Sequence, residues 1–140
     1  MSPCLRIIWV VLVGSLVWGC SSPTDGRCCE AEAPTAVVHG HVQLASGASV
    51  SGATISVYIA RPDGCVSRNF PDGQTLTQGD GDYALGVVSA ADTASICVLV
   101  RISPPNGSGF GADVDTQVQL AFRRTQPPDS AEVNATLGTP

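Results

Sequence analysis

Residues 37–59 read VVHGHVQLASGASVSGATISVYI. Val38, Gly40, Val42 and Leu44 fall on one parity, and Ala53, Ile55, Val57 and Ile59 do the same further on. A two-residue period of this kind puts alternate side chains on one face of an extended chain, so each half reads as a half-buried β-strand. Between them ASGASVSG supplies the small residues and glycines that let a backbone reverse. The two strands are therefore expected to pair, or to lie near one another, in a β-domain.

Working outward, the same grammar continues. Residues 61–73 (RPDGCVSRNFPDG) hold two Asp-Gly pairs and two prolines and read as loop with at most a short edge strand. Gln74 to Thr77 enters QGDGD and leaves through Tyr83, Leu85 and Val87, a hairpin signature. Ala94, Ile96, Val98, Val100 and Ile102 share one parity while Cys97 and Leu99 occupy the other, which suits a central strand. Val114, Thr116, Val118, Leu120 and Phe122 alternate with Asp113, Asp115, Gln117 and Gln119. After a Pro-Pro turn, Ala131, Val133, Ala135 and Leu137 close the series as one strand. Seven or eight short strands with no helical period, Ser89 to Thr93 excepted as a single turn, predict an all-β sandwich.

Composition bounds the rest. A chain of 140 residues holds one core. The formal charge is -5, and every basic residue is arginine, so a nucleic-acid footprint is excluded. Both tryptophans, Trp9 and Trp18, precede the strands and leave five aromatic residues, Tyr58, Phe70, Tyr83, Phe110 and Phe122, for the domain.

Gly40-x-Val42, Gly47, Val50-Ser51-Gly52-Ala53-Thr54-Ile55-Ser56-Val57, Thr77 and Gly81-Asp82-Tyr83-Ala84-Leu85 together resemble the carboxypeptidase regulatory-like domain. That resemblance implies a transthyretin-like Greek-key β-sandwich of seven strands, common in exported bacterial proteins. Ser49 stands where proline is usual, a loss of turn rigidity.

Arg6 and the apolar run Ile7 to Trp18 form a secretory pattern, too short for the roughly 20 residues a membrane span needs. The run ends Leu16-Val17-Trp18-Gly19-Cys20 and resembles the lipobox of bacterial lipoproteins, with Trp18 an unusual residue at its place. The resemblance implies cleavage before Cys20 and acylation of its thiol, with Ser21 pointing to the outer membrane, on a periplasmic or surface face. Two or three acyl chains hold a protein at a bilayer almost irreversibly. Residues 21–36 (SSPTDGRCCEAEAPTA) lack any apolar period and read as a flexible tether on the order of 20 Å long. The division is thus residues 1–19 signal, 20–36 lipidated tether and 37–138 sandwich.

In an oxidising compartment Cys28, Cys29, Cys65 and Cys97 remain, and four thiols allow three pairings. Cys65 with Cys97 is favoured because both lie within the domain, and closing a loop of about 33 residues would contribute roughly 3 to 4 kcal/mol. Cys28 and Cys29 leave a strained vicinal bridge, a bond to a partner chain and soft-metal binding open, though adjacent thiols in a tether more often have a mundane role.

Candidate chemistry is sparse. His39 and His41 share a face, but two ligands do not make a zinc site. Asp80 with Asp82, and Asp113 with Asp115, are pairs that calcium could use, although turn geometry alone accounts for the first. The run His41-Val-Gln-Leu with Gly47 is similar to the start of transthyretin-related hydroxyisourate hydrolases, which implies a catalytic histidine at His41. Their arginine motif and Tyr-Arg-Gly-Ser ending are missing, and the chain ends VNATLGTP. A lone histidine without a partner is no mechanism. Sugar binding would need exposed rings, and Tyr58 is the one candidate platform.

The expectation is a non-catalytic, lipid-anchored envelope protein without metal or cofactor, its sandwich structural or bound to an envelope protein through the face carrying His39, His41 and Gln43. A carbohydrate-binding module is the alternative, and a hydroxyisourate-hydrolase-like enzyme a distant third.

Overall fold

Val38, Ala36 and Val42 are fully buried while His39, His41 and Gln43 between them are not, so the alternation read at the start of the chain does mark one strand with an inner and an outer face. This is β1, Thr35–Leu44. The computed structural model describes residues 33–60, 70–90 and 92–139. The signal, Cys20, the Cys28–Cys29 pair and Cys65 lie outside the described residues. Thr35 and Ala36, expected in the tether, belong to β1, because Ala36 is buried and the ladder to Val88 and Val87 includes both.

The remaining strands are β2 (Thr54–Ile59), β3 (Gly73–Leu76), β4 (Asp82–Val88), β5 (Thr93–Ser103), β6 (Val114–Phe122), β7 (Asp129–Glu132) and β8 (Ala135–Leu137), with no helix among the described residues. They form two sheets. In the first, β1 lies between antiparallel β4 on one side and parallel β7 and β8 on the other. In the second the order is β3-β2-β5-β6, antiparallel throughout. The inner faces enclose Phe122, Ile55, Ile102, Leu120, Leu137 and a set of valines, all essentially without solvent contact. Two sheets, one mixed and one antiparallel, closing over one apolar layer make a β-sandwich.

β1 and β2 do not pair. The ASGASVSG segment carries the chain from one sheet to the other, turning back on β1 through Leu44 N–H to Ala48 O (2.8 Å) and Val50 N–H to Val42 O (2.9 Å). Gly47 and Gly52, at φ +83 and +76, make the two reversals. The expected hairpin at QGDGD is likewise a sheet-to-sheet crossing, since β3 pairs β2 and β4 pairs β1. Thr77, buried before that turn, pins it: its Oγ1 donates to Val50 O (2.6 Å) and accepts from Ala53 N–H (3.0 Å).

The last strand is split. A Cβ on Gly40 would fall on the carbonyl oxygen of Val133, so only glycine at this point of β1 lets the neighbouring chain step inward. The step separates β7 from β8, and Val133 N–H bonds His39 O at 2.8 Å. Tyr83, opposite Gly40 on β4, spans the gap and donates its hydroxyl proton to Val133 O at 2.7 Å. Burial pushes the Tyr83 phenol up to about 12, keeping that donor protonated.

Candidate functional site

The inward step at Gly40 has an outer counterpart. Asn134 sits at the break between β7 and β8, where its Oδ1 accepts from His41 N–H (2.8 Å) and its Nδ2 donates to Glu132 Oε1 (2.7 Å). A cleft of about 290 Å³ opens there, lined by His41, Gln43, Glu132, Asn134, Ala135 and Thr136. β1 supplies His41 and Gln43 from its outer parity, and the interrupted strand supplies the rest.

The β1–β4 register sets His41 opposite Asp82. Their side chains meet at 2.6 Å between His41 Nδ1 and Asp82 Oδ1. A carboxylate is an acceptor, so Nδ1 carries the hydrogen and the lone pair of the neutral ring is on Nε2. Nε2 has no hydrogen-bond partner among the described residues. Asp82 is held in turn, its N–H donating to Asp80 Oδ1 at 3.1 Å. An imidazole oriented by a carboxylate on one nitrogen and open on the other is the arrangement of a general base.

His41 is therefore not the lone histidine expected. Its partner is 41 residues away in sequence and reached only through strand pairing. His39 lies on the same outer face, opposite Ala84 on one side and beside Glu132 on the other.

The second sheet's outer face contrasts with this one. Tyr58, expected to be an exposed platform, retains only 8% of its surface, and Arg101 lies over its ring, 5.9 Å from guanidinium carbon to centroid. Arg101 is itself held by Asp115 through two bonds of 2.8 Å. The hydrogen bond to Arg101 keeps the Asp115 carboxyl below its usual range, and the same pairing raises Arg101. Asp113 adds a longer contact at 3.9 Å. The acidic pairs set aside for calcium are thus engaged elsewhere, one with Arg101 and one with His41 and its own turn. Cys97 is on β5 opposite Gln119, and its favoured partner Cys65 lies outside the described residues.

No protein-family profile and no curated protein matches the chain. Solved structures do. The chain is similar to 3-chlorocatechol 1,2-dioxygenase from Rhodococcus opacus 1CP, at 13% identity and a TM-score of 0.54 over 79% of this chain and 62% of that one. It is similar to chlorocatechol 1,2-dioxygenase from Pseudomonas putida, at 14% identity and 0.52 over 76% and 61%. For catechol 1,2-dioxygenase from Pseudomonas arvilla C-1 the figures are 13% and 0.51 over 81% and 54%. The chain spans less than two thirds of the length of each.

At such identities the likeness is one of fold. It nonetheless corrects the functional expectation. The reading as a non-catalytic structural, protein-binding or sugar-binding module took the sandwich to be a scaffold without chemistry, and its structural neighbours are enzymes. The hydroxyisourate-hydrolase alternative, drawn from the run at His41, has no counterpart among these neighbours, which are dioxygenases. Dioxygen chemistry calls for a redox metal or organic cofactor. Among the described residues no three His, Cys, Asp or Glu side chains converge as a metal ion requires. Tyr83 is committed to Val133 and Tyr58 to Arg101. These donors do not fit a metal centre.

Proposed function

We propose that the cleft beside His41 is an acid–base site that takes a small hydroxylated molecule and withdraws a hydroxyl proton from it. The 2.6 Å contact between His41 Nδ1 and Asp82 carries this reading, because it leaves Nε2 as the accepting nitrogen of a residue that lines the cleft. Glu132 has one oxygen bound by Asn134 and one to offer. The lining residues include neither lysine nor arginine. Such a lining favours ligands that bring hydrogen-bond donors over anions. Catechol, with two adjacent hydroxyls, matches that demand and is the compound named for the structural neighbours. It serves here as the probe.

The sandwich is read as the transthyretin-like, carboxypeptidase regulatory-like type, on the strength of the Gly40 to Leu85 motifs. Its setting is read from the lipobox: acylation at Cys20, export, and residence at the outer membrane, with a Cys65–Cys97 disulfide. Acylated peptide from the membrane fraction and a linked Cys65–Cys97 pair in a nonreduced digest are the expected mass-spectrometric results.

The test of the site is a titration of the full chain with catechol followed by NMR at the His41 ring and the Asn134 side-chain amide. Saturable shifts at both are expected, together with loss of binding of roughly tenfold in Glu132→Gln, about the share of one charge-assisted hydrogen bond. An Asn134 shift that persists unchanged in His41→Ala, or no shift at either residue in the parent chain, would overturn the reading.

A further inference from the structure

We infer that Asn106 is a site of covalent self-modification, its side-chain amide displaced by the backbone nitrogen of Gly107. Both residues are exposed in the connection between β5 and β6. The turn is closed by Ser108 N–H bonding Pro105 O at 3.1 Å, so its hydrogen bond is carried by the residue after the reacting nitrogen. Gly107 N–H itself donates to no acceptor among the described residues. Gly107 has φ +74, and a Cβ built there would meet nothing within 4 Å. Nothing bulky screens its nitrogen from the neighbouring side chain.

The chemistry needs only water. The Gly107 nitrogen gives its proton to solvent and attacks Asn106 Cγ. A bond forms between that nitrogen and Cγ, the bond from Cγ to Nδ2 breaks, and Nδ2 leaves as ammonia with a proton from water. The product is a five-membered cyclic imide. Water then opens it at either carbonyl, giving aspartate when the side-chain carbonyl is attacked and isoaspartate when the main-chain carbonyl is attacked. Nothing is oxidised or reduced. Either outcome adds a negative charge at the turn, and isoaspartate also lengthens the main chain there by one carbon.

Asn134 supplies the internal standard. Both ends of its amide are bound, to His41 N–H and to Glu132. It precedes Ala135, which is buried, so a Cβ stands beside the nitrogen that would have to attack.

The full chain is incubated at mildly alkaline pH, and its peptides are followed by mass spectrometry with isoaspartyl methyltransferase labelling. Aspartate and isoaspartate should accumulate at position 106 while Asn134 keeps its amide. Gly107→Ala should slow the conversion roughly tenfold by placing a Cβ beside the nucleophile. Because alanine is strained at that φ, Asn106→Gln, whose longer side chain disfavours ring closure, gives the second arm and should abolish the change in that peptide. Conversion at Asn106 no faster than at Asn134, or equal rates in the parent chain and Asn106→Gln, overturns the inference.

Discussion

The two outer faces of this sandwich are built from similar polar stock and end in opposite states. On the second sheet Arg101 covers Tyr58 and spends its charge on Asp115, so ring, cation and carboxylate satisfy one another. On the first sheet Asp82 occupies one nitrogen of His41 and leaves the other open, beside a cleft made by a broken strand. What separates them is backbone continuity. β5 and β6 pair along most of their length, whereas β7 and β8 are parted where the chain steps over Gly40. A sheet with an interrupted ladder has polar groups to spare at the break, and this one directs them around His41.

Gly40→Ala attacks the difference at its root. Its Cβ collides with Val133 O, so a loss of about 3 kcal/mol is expected in urea unfolding. Catechol-induced shifts at His41 should vanish in the folded fraction, and retention of both stability and shifts would break the comparison. Tyr83→Phe removes the hydroxyl that closes the same gap and leaves Val133 O short of one donor, at a cost of about 1 to 2 kcal/mol by the same measurement.

On the closed face the effects are smaller. Asp115→Asn should lower stability by only about 0.5 to 1 kcal/mol, because the pair with Arg101 is partly exposed. Its pH dependence is more telling. The Asp115 carboxyl is depressed in the folded state, so its contribution is complete above the usual carboxylate range and is lost as pH falls through the lower, folded value. Melting temperatures of the parent chain and Asp115→Asn should therefore converge in acid and separate toward neutral pH. The smallest effect belongs to Asp82→Asn, within about 0.5 kcal/mol in stability for an exposed contact. Its catechol-induced shift at His41 should still weaken, since a neutral amide oxygen orients the ring through a weaker bond than the carboxylate does.

Strand positions were legible because alternation is local: Val114 to Phe122 declares its own inner face, as does Val38 to Val42. Partners were not. Parity says which way a side chain points and nothing of which strand lies beside it, so β1 and β2 read as possible mates though they lie in different sheets. The His41–Asp82 pair was hidden for the same reason, as it exists only in the β1–β4 register. Tyr58 had the outward parity assigned to it, yet it is buried, with Arg101 of the neighbouring strand β5 over its ring. The split at Val133 left one trace in sequence, a glycine in the middle of the valine-rich strand, and such a residue marks a close backbone approach without naming what approaches.

β1 enters from the amino-terminal side of the chain and runs between partners on both flanks. A pull on that end, directed along the strand, loads the ladders to β4, β7 and β8 in shear, so many bonds must yield together instead of peeling one by one. The same placement that puts His41 in mid-sheet makes the first strand mechanically stiff, and its lifetime under tension is governed by an unfolding rate more than by equilibrium stability.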